Sequence, residues 1–302
     1  YMWRHGSKRT RPSELVDGTL RVISARMDYL PPDDPAANVQ ADPAAAFVSR
    51  YALGRDYHKT LRKRLKKLAK RIEQASGSFG YRVFVDSAPV MEKPLAVKAG
   101  LGWMGKHSNL INRQAGSWFF LGEIYTDLPL PVDQPVSDHC GKCVACMEVC
   151  PTRAIVAPYL VDARLCISYL TIELQGPIPT ALRPLMGNHI YGCDDCMMIC
   201  PWNRFARSTS EADFLPRQGL DTATLSELFC WTREEFLRKT EGSPIRRLGY
   251  ARWLRNIAVS LGNGPATPAT LEVLRRRLGS CSGLVDEHID WAIRRLGGRN
   301  TI

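Results

Sequence analysis

The first feature of this 302-residue chain that could do chemistry is the spacing of its ten cysteines. Cys140 to Pro151 reads CGKCVACMEVCP, a CxxCxxCxxxCP run. Four thiolates at that spacing are what a short loop must supply to a cubic iron–sulfur cluster, and the closing proline turns the backbone away without offering an N–H. A second run, CDDCMMICP, occupies Cys193 to Pro201. Cys143, Cys146 and Cys150 align with Cys193, Cys196 and Cys200 at a constant offset of 50. This is the internal repeat of a two-cluster bacterial ferredoxin, in which each run's last cysteine serves the other cluster.

The repeat is incomplete, because Ile190 stands where the second run needs its first cysteine. Seven thiolates do not fill eight sites. Cys166, in DARLCISYLTIE between the runs, restores the count. One cluster is therefore expected on Cys140, Cys143, Cys146 and Cys200, and the other on Cys150, Cys166, Cys193 and Cys196. CxxC pairs also bind zinc, but a pair of zinc ribbons needs no interlocking triplets. Cys230 and Cys281 lie outside both runs and read as buried spectator thiols.

A second candidate for chemistry is Asp86. YRVFVDSAP reads as a strand that ends in this carboxylate just before the breakers Ser87 to Pro89. The carboxyl end of a strand is where α/β proteins place reacting groups; a turn-capping aspartate is the plainer alternative. KAGLGWMGKHSNLIN follows, with Gly100, Gly102 and Gly105 around Trp103. Such glycines let a backbone approach a bulky ligand closely. They do not form a dinucleotide fingerprint, since no strand leads directly into them. Asp56-Tyr57-His58 opens like DxHxxG, which presents a histidine to cobalt in some cobalamin proteins, but Leu61 replaces the glycine and excludes that role.

These residues must be positioned by regular elements. TLRVISARMDYLP reads as a buried strand and residues 31–46, rich in Pro, Ala and Asp, as a loop. In KTLRKRLKKLAKRIEQ, Leu61, Leu65, Leu68 and Ile72 form one apolar stripe of a helix whose other faces carry Lys59, Arg62, Lys63, Arg64, Lys66, Lys67, Lys70 and Arg71. GSWFFLGEIYTDLPL reads as a strand entering the cysteine region. Beyond residue 221 the pattern is helical, and Leu261-Gly262 and Leu296-Gly297 end two similar stretches 35 residues apart, like one pair of a HEAT-type repeat.

The formal net charge is +11. Basic residues outnumber acidic ones 20 to 10 over residues 1–110 and 14 to 11 over 211–302, whereas the cysteine region, 111–210, has 7 against 9. A basic chain with an electron-carrying middle points to a polyanionic partner such as nucleic acid. No apolar run reaches the ~18 residues of a membrane span and no export signal opens the chain, so this many cysteines imply a reducing compartment, the cytoplasm.

The strings VDSAP, LAVKAGLGWMGKHSNLINRQAGSWFFLGEI, CGKCVACMEVCPTRAI, VDARLCISYLTIEL, RPLMGN, YGCDDCMMICPWN and SPIRRLGYARWLRN, in this order, resemble the epoxyqueuosine reductases along essentially the whole chain. The family has an additional amino-terminal segment ahead of the point where this sequence starts. The resemblance implies an α+β fold in three parts: an α/β cobalamin-binding catalytic domain over residues 1–130, a ferredoxin-like insert with two 4Fe-4S clusters over 131–210, and a helical HEAT-like tRNA-binding domain over 211–302. It implies reduction of the epoxide of epoxyqueuosine at the wobble position of tRNAs for Asp, Asn, His and Tyr, by a cytoplasmic monomer supplied by a low-potential donor such as flavodoxin or ferredoxin. The cobalamin would be base-off, with no protein histidine on cobalt.

Asp86 is then the proton donor, its pKa expected to rise by burial beside the corrin. Arg9, Ser49, Tyr51, Asp86, Lys106, His107, Asn112 and Ile172 are expected near cobalamin. Tyr57, His58, Lys63, Lys66, Lys67, Lys70, Arg246, Arg247, Arg252 and Arg255 are expected near tRNA. Two rival readings are a cobalamin-dependent reductive dehalogenase acting on a small molecule and a ferredoxin-type carrier. The first usually ends soon after its clusters, and the second has no use for residues 1–130.

Overall fold

Strand β1, Arg21–Asp28, pairs along its full length with β3, Phe119–Thr126, and β2, Tyr81–Phe84, pairs with the other edge of β3. Both pairings are antiparallel, from Arg21↔Thr126 to Asp28↔Phe119 and from Tyr81↔Thr126 to Phe84↔Glu123. The crevice rule for parallel sheets therefore does not apply to Asp86, and the expectation drawn from it is corrected: local contacts place that residue. The computed structural model describes residues 2–299. Tyr1 and residues 300–302, the outer ends of the two flanking regions expected above, lie outside the described residues.

One face of the sheet is covered by helix α1, Tyr57–Ser76. Asp56 caps it, its side chain accepting from the His58 N–H at 3.1 Å. Leu61, Leu65 and Ala69 are buried, each leucine stabilising the fold by about 1.5–3 kcal/mol. Gly122 lets this face come close, since a Cβ there would lie 2.7 Å from Leu65 Cδ1. Leu68, expected in the stripe, is 37% exposed, and the smaller Ala69 fills the place nearest the sheet. The other face receives α2, Glu92–Lys98, with Leu95 and Ala96 against Phe84, Tyr125 and Phe119. Odd-numbered residues of β3 thus face α2 and even-numbered ones α1, as strand geometry requires.

Residues 31–46 are less open than their composition implies, for AANVQA forms the helix Ala36–Ala41. The strand Phe47–Val48 then pairs in parallel with His189–Tyr191. This pairing feeds the largest core, where Val48, Leu53, Ile167, Leu170, Ile190 and Tyr191 meet Leu228, Phe236, Trp253, Ile257, Val285 and Ile289. Ile190, the residue in place of the absent cysteine, is fully buried there and gives its carbonyl to Asn256 Nδ2 at 2.8 Å. A thiol at this position would face hydrocarbon rather than its fellow ligands.

The last third is helical. Helices Leu225–Cys230 and Arg233–Lys239 both start in capping boxes, Thr224 with Glu227 and Thr232 with Glu235. Helix α3, Tyr250–Asn263, lies against α4, Gly283–Arg299. Gly262 permits that approach, because a Cβ on it would sit 2.7 Å from the Trp291 ring. Cys230 is exposed at its helix end, not buried as expected. Among the described residues no helix is long and apolar enough to cross a membrane.

Candidate active site

The cysteines gather in two nests. Burial, together with the facing thiols of Cys200, Cys140 and Cys143, pushes the Cys146 thiol up, and Cys200 is raised by burial and by Cys140 and Cys143. Burial raises Cys196 further, and its nearest thiol influence is Cys166, with Cys146 and Cys150 beyond. Cys193 shares the field of Cys196. Cys146 couples to the outer thiols and also acts on Cys196, so the two nests adjoin. Thiols crowded so that each disfavours its neighbour's ionisation suit a cationic centre, which reverses that penalty and deprotonates them. The outer nest packs on Trp103, Ile111 and Trp202, and its Cys143 is exposed. Cys150, Cys166, Cys193 and Cys196 line a cavity of about 290 Å³ that His107, Ser108, Asn109 and Lys93 close from the other side.

The glycine-rich loop serves the chain itself. Trp103–Met104 and Leu110–Ile111 form a small hairpin, and a Cβ on Gly102 would meet the Ile111 carbonyl at 2.2 Å. The close approach expected for a ligand is thus made by the protein's own backbone. Lys106 Nζ donates to the carbonyls of Gly141 (2.6 Å) and Cys143 (2.8 Å), tying this hairpin to the outer nest. Buried His107 accepts the Asn109 N–H on Nδ1 at 3.1 Å, so its proton resides on Nε2, an atom with no protein partner. Burial and nearby Lys93 hold it neutral, with a pKa of about 4.

Beyond Lys93 lies an acid pocket. Asp86 follows β2 in a left-handed conformation, φ 38°, uncommon for a residue with a side chain and a source of local strain. Tyr57 Oη donates to Asp86 Oδ2. His58 Nε2 lies 3.3 Å from the same oxygen, while its Nδ1 is 2.7 Å from Asp56 Oδ1. The imidazole is thus held between two carboxylates. Against the pull of burial, these partners lift His58 to about 9. His58 and Tyr57 in turn hold Asp86 below the usual carboxylate range, with Arg247 adding positive charge. The rise expected for Asp86 is therefore corrected: in this network the proton rests on His58, not on Asp86. Tyr57 is fixed by stacking on Phe120, ring centres 4.1 Å apart, and Tyr51 meets it edge-on at 6.0 Å.

The structure redistributes the other expected residues. Tyr57, His58 and Arg247, expected at tRNA, converge on Asp86. Ser49 Oγ is spent on Asp194 Oδ1 (2.6 Å), and Asn112 on Leu101 O and the Gln114 N–H. Tyr51 bonds Tyr191, and Ile172 packs on the large core with its carbonyl on Arg252. With Lys106 these groups are bonded or packed within the protein. Arg9 lies on a helical turn of the amino-terminal segment, apart from the groups that hold Asp86. Arg255 is fully buried, bonding the carbonyls of Leu170, Leu174 and Gly176, and Arg252 bonds those of Leu248, Ile172 and Arg247. Arg255 is thereby closed off from a phosphate, whereas Arg252 stays partly exposed. Lys63, Lys66, Lys67, Lys70, Arg246 and Arg247 are exposed.

Sequence reasoning missed Glu92, Lys93 and Glu123. Glu92 Oε1 accepts the Asp86 N–H at 2.5 Å, and Lys93 feels the charges of Glu92, Cys196 and Asp86, which places it between pocket and inner nest. The one available signal was an acid inside the apolar strand FFLGEIYT, where Glu123 has no polar alternation to explain it.

Known proteins with similar sequences and folds share this arrangement of segments. Residues 9–87 match a family described as epoxyqueuosine reductase QueG, and residues 139–203, which contain both nests, a 4Fe-4S double cluster binding domain. The epoxyqueuosine reductase of Pseudomonas aeruginosa is 63% identical over 298 residues, covering 98% of this chain and 82% of that protein. That of Escherichia coli K12 is 63% identical, covering 97% and 77%. A crystal structure of epoxyqueuosine reductase with an epoxyqueuosine-modified tRNA-Tyr stem loop superposes with a TM-score of 0.87 at 26% identity, over 96% of this chain and 77% of that one. The Bacillus subtilis enzyme with its catalytic aspartate loop swung out of the active site gives 0.86 at 25% identity, with the same coverage.

Proposed function

The chain belongs to the epoxyqueuosine reductase family, and from that premise we propose that it reduces epoxyqueuosine in a tRNA anticodon loop to queuosine, with Asp86 as the proton donor. One observation carries the reading: Asp86 is held between Tyr57, His58 and Glu92, and Lys93, which lines the cavity with Cys150, Cys166, Cys193 and Cys196, feels the charges of Glu92, Cys196 and Asp86.

Removing the epoxide oxygen as water takes two electrons and two protons. When bound, the two 4Fe-4S clusters and a base-off cobalamin would supply the electrons and a low-valent cobalt reactive toward carbon. The chain's residues fit both. Cys150, Cys166, Cys193 and Cys196 would hold one cluster and Cys140, Cys143, Cys146 and Cys200 the other, and the unpartnered Nε2–H of His107 with Lys93, Ser108 and Asn109 offers hydrogen-bonding groups to an amide-bearing macrocycle. Nδ1 of His107 is already taken by the Asn109 N–H, so in this tautomer the ring keeps no free lone pair for a metal. Asp56 orients His58, His58 keeps a proton 3.3 Å from Asp86 Oδ2, and Tyr57 fixes that oxygen. Asp86 takes the proton as substrate excludes water, because desolvation disfavours its carboxylate, and gives it to the departing oxygen.

The three regions 1–130, 131–210 and 211–302 act in this reading as catalytic, electron-carrying and HEAT-like tRNA-binding parts of a cytoplasmic monomer. Lys63, Lys66, Lys67 and Lys70 on α1, with Arg246 and Arg247, present the cationic surface for phosphates. A low-potential flavodoxin or ferredoxin would reach the outer nest at exposed Cys143. The test is to incubate the reconstituted holoenzyme with an epoxyqueuosine tRNA stem loop and a low-potential reductant, then weigh the nucleosides. Loss of one oxygen mass by wild type and not by Asp86→Asn is expected. Unchanged nucleoside with wild type overturns the reading.

A further inference from the structure

Asp86 delivers one proton at a time, whereas expelling the oxygen as water consumes two. We propose that Glu123 and Glu92 form a buried acid pair that shares a proton behind the Asp86 turn and supplies the second one. The proposal rests on Asp86 being the proton donor.

Glu123 stands in the middle of β3, opposite Ser24 on one side and Phe84 on the other. It is fully buried, and neither of its oxygens has a hydrogen-bond donor in reach. A carboxylate there would be desolvated without compensation, at a cost of several kcal/mol, so the group carries a proton. Being odd-numbered in β3, it faces α2, and Glu92 is the first residue of that helix. The charges that act on Glu123 come from two acids, Glu92 and then Asp86, and from no lysine or arginine. Glu92 in turn holds the Asp86 N–H, so it stands between the strand and the catalytic turn. Tyr125 and Ser24, on β3 and β1, lack partners for their hydroxyls; Lys93 and His58 are the cationic groups facing Glu92.

Two acids enclosed together without an intervening cation retain one proton between them, as in other carboxyl dyads. Burial and the neighbouring negative charges lift Glu123 to about 9 and Glu92 to about 7, consistent with one proton in the pair at neutral pH. The sequence of transfers balances. Protonated Asp86 gives its proton to the epoxide oxygen as the first C–O bond breaks, leaving a hydroxyl and the Asp86 carboxylate. Glu123 passes its proton to Glu92, and Glu92, which already holds the Asp86 N–H from the start of α2, passes it to the Asp86 carboxyl. Asp86 then protonates the hydroxyl, which leaves as water when the second C–O bond breaks. The two electrons come from the low-potential donor of the reductase reaction, and a solvent proton reloads the pair.

Infrared difference spectra of the holoenzyme should show a protonated carboxyl at neutral pH that titrates near 9 and is missing in Glu123→Gln. In single turnover of an epoxyqueuosine stem loop by pre-reduced enzyme, Glu123→Gln and Glu92→Gln should each slow product formation by about 10-fold or more, the lower end of what a proton-transfer group contributes. Iron and cobalt content should stay at wild-type levels, and Glu92→Gln should keep the Glu123 carboxyl band. A Glu123→Gln enzyme that retains the band, or turns over at wild-type rate, overturns the pair. Should Glu123→Gln fail to fold, wild-type turnover by Glu92→Gln overturns it instead. An active Asp86→Asn enzyme sinks the parent reading, and is told apart because it leaves the carboxyl band in place.

Discussion

The inner cysteine nest and the acid pocket adjoin at Lys93, yet they are assembled from very different stretches of chain. All eight thiols fall within residues 140–200, on loops and short helices, while the pocket collects Asp56 to His58, Asp86, Glu92, Glu123 and Arg247. The contrast follows from what each side moves. Electrons cross gaps between centres, so ligands need only be delivered at a spacing that a loop can hold. Protons move only within hydrogen-bond reach, so their carriers must be pinned by a sheet, two helices and a strained turn. The nests tolerate thiols of unequal exposure, from open Cys143 to buried Cys200.

The largest expected effect tests the loop-built side. Cys166→Ala should lose about half of the bound iron and all turnover, since one of two four-iron clusters loses a ligand; full iron with unimpaired electron transfer would remove Cys166 from the set. Adding Ile190→Cys should not restore it, because residue 190 faces the hydrophobic core, and recovered iron would show that the nest reaches further than its fold suggests. On the pocket side, Asp86→Asn should slow turnover by roughly 10²–10⁴ while iron, cobalamin and tRNA affinity stay unchanged. Near wild-type rates would demote Asp86 to a turn cap.

A smaller effect separates the two sides by pH. His58, raised from its usual 6.5 to about 9 by two carboxylates, contributes stability that is complete below pH 6.5 and lost as pH rises through 9. The Tm gap between wild type and His58→Gln should close over that window. His107, held at about 4 beside the inner nest, has the opposite sign: its cost grows as pH falls from 6.5 to 4. A Tm gap for His58→Gln that does not change with pH would break the contrast. The smallest effect lies outside both. Charge reversal at Lys63 and Lys67 should weaken stem-loop binding and flatten the log-log salt slope by about 0.7–0.9 for each phosphate that is no longer neutralised. An unchanged slope would move the tRNA surface off α1.

Local spacing was enough to determine what local chemistry requires. The two CxxC-containing runs, the offset of 50 between them and the leftover Cys166 arrange eight thiols in two sets, and the fold brings Cys150, Cys166, Cys193 and Cys196 to the lining of one cavity. The amphipathic stripe of α1 is likewise legible, because a 3.6-residue period needs no partner to be seen, although Leu68 and Ala69 exchange places once a sheet lies underneath. Tertiary structure alone decided the rest. Tyr57 and His58 are expected at tRNA until α1 docks and turns them onto Asp86. Arg255 looks like a phosphate ligand until α3 buries it against open carbonyls. The glycines around Trp103 suggest a ligand until the hairpin shows the chain meeting itself. Glu123 is one acid in an apolar strand, and its proton follows only from what surrounds it on all sides. Ionisation and hydrogen bonding depend on neighbours brought from far along the chain, and a one-dimensional pattern does not carry them.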